Sequence, residues 1–150
     1  MVAEPWTPSL EMVADHIPTR TRPIEPPGET RYLNTFTSET TPTDVQAQRH
    51  IEDAVVTVLG AVGGVVPAAP MFLSILAREA AALRAAADIE IAYPDRDADV
   101  AVYEQLNELA NAKLERLVQA INDQGHGTSG SSLLPVWSMP EPPWWGDYLL

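Results

Sequence analysis

Apolar residues recur every three or four positions in three stretches of the chain, which is the spacing of an amphipathic helix. The first stretch opens at Thr43 with "TDVQ", a capping box in which the Thr43 hydroxyl accepts a hydrogen bond from the Gln46 amide. The apolar positions that follow share one helix face: Ile51, Val55, Val58 and Val62. Gly63-Gly64 then favours a helix end. The pattern predicts a helix between Thr43 and these glycines.

The second stretch is rich in alanine and runs from Pro70 to Tyr93, where Pro94 ends it. Its larger apolar positions predict one common face: Phe72, Leu76, Leu83 and Ala87. Alanine side chains are small, so we expect a neighbouring helix to approach this one closely.

The third stretch follows the acidic turn "PDRDAD". Asp97 or Asp99 is suited to cap its start, because carboxylates are favoured at a helix N-terminus. Gly125 is predicted to end it. Its apolar positions keep a period near 3.6 residues: Tyr103, Leu106, Ala110, Leu114, Leu117 and Ile121.

Shorter signals complete the organisation. "SLEMVADHIP" predicts one or two helical turns with Ser9 as N-cap and Pro18 as the stop. "QGHGTSGSS" has the composition of a flexible linker. The sequence therefore predicts an all-α fold: a small bundle of three main helices plus a short N-terminal helix, with extended arms. The domain division is an N-terminal arm (1–42), a helical body (43–124), and a linker with a docking tail (125–150).

Charge and composition exclude several classes. The net charge is −12, with a single lysine and no cysteine among 150 residues. Nucleic-acid binding and adhesion to an anionic membrane both need a basic face, so neither is expected. Disulfides and thiolate chemistry are excluded. The beginning lacks the features of a signal peptide, and no apolar run is long enough to span a bilayer. These features predict a soluble protein.

No arrangement of residues indicates catalysis or a cofactor. The three histidines, His16, His50 and His126, are scattered, so they are expected to be structural or solvated. Asp95 and the aspartates after it imitate the start of a calcium loop, but the glycine and glutamate that an EF-hand needs are absent. No serine nucleophile motif, phosphate loop or dinucleotide fingerprint is present. The sequence predicts no enzyme, no cofactor and no metal.

The aromatic tail, residues 133–150, closes the chain with "SMPEPPWWGDYLL". Its prolines disfavour a helix or a central strand, yet it carries much apolar surface. Tryptophan and tyrosine are common anchors at protein interfaces. We therefore predict docking residues here: Trp137, Trp144, Trp145, Tyr148, Leu149 and Leu150. The alternative is that the tail folds back onto its own body.

The stretch from Thr35 to Ile121 resembles the head-to-tail adaptor (connector) proteins of long-tailed bacteriophages, in the style of actinophages. The resemblance lies in the order of three segments: "TFTSETTPTDVQAQRHIEDAVVTVLGAVG", the alanine-rich "AREAAALRAAADIEIAYPD", and "YEQLNELANAKLERLVQAI". The preceding "ADHIPTRTR" is similar to the arm before the first helix of such proteins. The resemblance covers well over half of the chain.

The resemblance implies a structural virion protein of the phage neck. Such adaptors form a ring, usually of twelve copies, between the portal protein and the head-tail stopper or tail terminator. DNA leaves through the lumen without specific binding, and assembly takes place in the host cytoplasm. An acidic lumen repels phosphates, so it lets DNA slide. The alternative is a non-viral helical adaptor, or a secreted helical interaction protein from a high-GC bacterium.

Overall fold

The structure is a computed structural model that describes residues 4–24, 31–94 and 100–127. Four α-helices form a bundle in the described part of the chain, which contains no named strand. They are α1 (Leu10–His16), α2 (Asp44–Val62), α3 (Met71–Ala92) and α4 (Val100–Gly127), with one turn of 3-10 helix at Pro18–Thr21. The all-α fold and the small bundle predicted from the sequence are confirmed.

Local capping residues fix the starts of α1 and α2 where the sequence predicts them. The Ser9 hydroxyl accepts from the Met12 amide at 3.3 Å. Thr43 and Gln46 form the complete capping box: the Thr43 hydroxyl accepts from the Gln46 amide at 3.4 Å, and Gln46 Oε1 accepts from the Thr43 amide at 3.0 Å. Gly63 follows α2 in the left-handed conformation, with φ of 83°. These interactions provide partners for backbone N–H and C=O groups that have none within the helix at its ends.

We expect Thr43→Ala to lower the free energy of unfolding by about 1 kcal/mol, because it removes the capping hydroxyl. The matched control is Thr57→Ala, an exposed threonine within α2 whose loss we expect to change stability by less than about 0.5 kcal/mol. Urea denaturation followed by circular dichroism measures both. Equal losses for the two variants would contradict a specific role of the capping box.

Helix α3 is the central element of the bundle, since it packs against α1, α2 and α4. Most of its middle is fully buried, including the run of alanines that the sequence predicts to allow close approach: Ala77, Ala80, Ala81, Ala82, Ala85, Ala86 and Ala87. The predicted common face is wrong at one position. Leu83 and Ala87 are buried, but Phe72 remains 48% exposed because its side of the first turn is not covered by another described element, while its neighbour Leu73 is buried.

Residues from the predicted N-terminal arm contribute side chains to the same core. Trp6, Val13, Ile17 and Phe36 are all buried and belong to the core cluster with residues of α2 and α3. Arg20, in the 3-10 turn, also reaches across to α3. The segment before residue 43 therefore packs on the helical body over the part that the structure describes.

Helix α4 continues two residues beyond the predicted end, so Gly125 and His126 lie in the helix and not in a linker. A glycine in the last turn is tolerated because its helix cost is only about 1 kcal/mol. The predicted caps Asp97 and Asp99 lie outside the described residues, as do the linker from residue 128 onward and the aromatic tail.

Candidate docking surface

The chain contains no charged residue between Asp53 and Arg78, a stretch that includes the second half of α2, the turn after it and the start of α3. Part of this stretch is buried, but five large apolar side chains are exposed. One is Val56 (49% exposed) on α2, and the other four follow α2: Val65 (72%), Met71 (74%), Phe72 (48%) and Ile75 (44%). We call these last four residues the apolar patch. Single exposed apolar residues are normal, whereas a group of them within one uncharged region marks an interaction surface.

Three of the patch residues share one side of the first turns of α3. Ile75 is four residues after Met71 and three after Phe72, and residues at these spacings are neighbours on a helix surface. Val65 lies in the turn that leads into the helix. The patch is therefore built mainly on a helix, which presents its side chains more rigidly than a loop does.

The patch ends on α3 where the next two charged residues contact the N-terminal segment and α4. An Arg78 guanidinium nitrogen donates to the Pro5 carbonyl at 3.5 Å, and Glu79 forms an ion pair with Lys113 of α4. Both charged residues that follow the patch on α3 are thus held by neighbouring parts of the chain. They are not free to fold over the apolar side chains before them.

The direction of α4 brings its C-terminal end to the same end of the bundle as the patch. Arg84 Nη1 donates to Asn107 Oδ1 at 3.0 Å, and Glu79 pairs with Lys113. The earlier of these two residues of α3, Glu79, contacts the later residue of α4, Lys113. The two helices are therefore antiparallel. The last turns of α4 therefore lie beside the start of α3, and Gly127 is at the end of the molecule that carries the patch.

An open groove of about 660 Å³ lies near this end, between the last turn of α2 and α4. Its apolar lining includes Ala61, Leu114 and Val118, and its acidic lining includes Glu115 and Asp123. The groove can accept an elongated apolar group. Its two carboxylates disfavour an acidic one.

The described residues show no group of three or more histidine, aspartate or glutamate side chains that could hold a metal ion. His50 packs edge-on against the ring of Tyr93, with centroids 5.9 Å apart. Partial desolvation lowers the pKa of His16 below its ordinary value, although the nearby carboxylates of Asp15 and Glu79 oppose the shift. In the described ranges, none of the helices has the length and hydropathy of a membrane span.

The six predicted docking residues, from Trp137 to Leu150, lie outside the described residues, so their role stays a prediction. The periodicity of the sequence does not predict the apolar patch, because it places Phe72 on the core face. The signal that could have found it is the absence of charge from residue 54 to residue 77.

The chain matches no protein-family model, no curated protein and no solved structure.

Proposed function

We propose that this chain is a structural virion protein, a head-to-tail adaptor that forms a ring between the portal and the tail-completion proteins and lines the DNA exit channel. One observation carries the proposal. An all-α bundle exposes an uncharged apolar patch at the end where α4 leads into a proline-rich, aromatic tail. A protein built to be held by neighbours needs apolar surface on the body and an anchor on a connecting segment.

The charge of the chain supports the same function. At −12 per copy, a ring is strongly acidic, and acidic walls repel the phosphates of DNA that passes through. Three of the nine lysine and arginine residues form ion pairs with carboxylates in the described part of the chain: Arg20 with Glu90, Arg84 with Asp88, and Lys113 with Glu79. Such pairs are a poor basis for gripping a phosphate backbone.

The proposal is tested by mixing the purified chain with rings of a portal protein encoded in the same genome. We expect the chain to join the portal ring, with a gain in mass that corresponds to a ring of about twelve copies, measured by analytical ultracentrifugation or native mass spectrometry. A wild-type chain that never joins the portal would overturn the proposal and favour a non-viral helical adaptor.

We expect the double variant Trp144→Ala with Trp145→Ala to lose this joining, while the melting temperature of the isolated chain stays nearly unchanged. Truncating a buried tryptophan anchor typically costs on the order of 2–4 kcal/mol of binding free energy. The matched control is Ser131→Ala with Ser132→Ala, which changes the linker and leaves the aromatic residues in place. A large loss of thermal stability with joining intact would show that the tail packs on its own body.

A further inference from the structure

The apolar patch has no covering element in the described part of the chain, and the end of α4 lies close to it. Near the patch, α4 is in register with the start of α3: from the Glu79–Lys113 pair, eight residues back along α3 reach Met71 and eight forward along α4 reach Ile121. Ile121 packs against the core. Gly127 lies almost two turns further on. The residues that follow Gly127 therefore start at the level of the patch or just beyond it.

Charge favours the patch over the neighbouring groove as the binding site of the aromatic tail. Residues 133–150 contain two acidic residues, Glu141 and Asp147, and no lysine or arginine. The groove presents Glu115 and Asp123, so like charges would face each other there. The residues of the patch carry no charge, so they add no such repulsion of their own.

The length of the connection favours a tail from another copy of the chain. Trp144 is seventeen residues after Gly127. At about 3.1 Å per residue when extended, this connection can reach up to about 53 Å, whereas the 28 residues of α4 span about 42 Å. If the tail bound the patch of its own molecule, beside which it starts, more than a dozen residues would have to loop out, and such long structureless loops are uncommon in compact domains. The patch of a neighbouring copy can lie within this reach.

We propose that the apolar patch is the receptor for the aromatic tail of a neighbouring copy, with Trp144 and Trp145 packing on Met71, Phe72 and Ile75. The inference rests on the proposed ring assembly and specifies the contact that links one copy to the next. It also assigns a role to Phe72, a large aromatic residue that the body leaves half-exposed.

Photo-crosslinking in the full chain tests the contact directly. Benzoylphenylalanine is placed at position 72 or, as a matched control, at position 109, since Leu109 on α4 has a similar exposure of 45%. Equal amounts of unlabelled and ¹⁵N-labelled chains are mixed and irradiated, alone and on portal rings, and the crosslinked peptides are identified by mass spectrometry. We expect position 72 to crosslink to peptides from residues 133–150 of a differently labelled copy, and position 109 not to do so.

Crosslinks confined to one labelled copy, or crosslinks from position 72 only to the portal protein, would overturn the inference. A different result would contradict the proposed function alone: crosslinks between copies form, but the wild-type chain never joins the portal. As a second measurement, Phe72→Asp should weaken self-association about tenfold or more, whereas Leu109→Asp should leave it within about twofold. Equal effects of the two variants on folded proteins would also contradict the inference.

Discussion

Trp6→Ala is expected to lower the free energy of unfolding by about 3–5 kcal/mol, the range for removing a buried tryptophan. Trp6 is 1% exposed and belongs to the core cluster, although it lies before the first helix in a segment predicted as an arm. Domain stabilities are about 5–15 kcal/mol, so this loss would remove a large fraction of the total stability. Thermal and urea denaturation measure it.

Two further variants make this test specific to burial. The Trp6 Nε1 atom is buried, and it donates no hydrogen bond to any of the described residues. Trp6→Phe therefore loses no hydrogen bond, keeps part of the volume, and should cost clearly less than Trp6→Ala. Phe72→Ala removes an aromatic ring that is half-exposed and should cost less than about 1 kcal/mol. If Trp6→Ala were as mild as Phe72→Ala, the N-terminal segment would not be part of the core in solution.

Arg20→Met is expected to destabilise the protein by about 3–5 kcal/mol, because it leaves the Glu90 carboxylate largely buried without its partner. The guanidinium and the carboxylate meet in a two-point contact: Nε donates to Oε1 at 3.0 Å and Nη2 donates to Oε2 at 2.7 Å. Their side chains are only 11% and 10% exposed, so solvent screens the interaction weakly. This pair connects the 3-10 turn to α3.

The double variant Arg20→Met with Glu90→Met should be more stable than Arg20→Met alone, since replacing both partners of a buried ion pair by apolar residues is often neutral. A double-mutant cycle from urea denaturation yields the coupling free energy. The control is Asp88→Asn, which removes the more exposed pair with Arg84 and should cost no more than about 0.5 kcal/mol. Additive effects of the Arg20 and Glu90 substitutions would show that the two side chains do not interact in solution.

The candidate site was predictable only in part. The sequence indicates an aromatic tail suited to docking, because tryptophans next to prolines stand out without any knowledge of the fold. The surface proposed to receive that tail was not predictable, because Phe72 and Leu73 are both apolar neighbours at the start of α3 and only one of them is buried. Periodicity identifies a face clearly when polar residues occupy the other faces. The uncharged start of α3 offers no such contrast.

The amino-acid sequence alone predicts where α1 and α2 begin and how α2 ends, because Ser9, the Thr43–Gln46 capping box and Gly63 act on backbone groups within a few residues. It also determined that the body is helical, since the period of its apolar residues is a local property. The folded structure is needed to see that Trp6 enters the core and that Arg20 meets Glu90, seventy residues away. An alanine-rich helix such as α3 can be buried on almost any side. Its partners are therefore selected by the packing of the whole chain, and no short stretch of sequence contains that information.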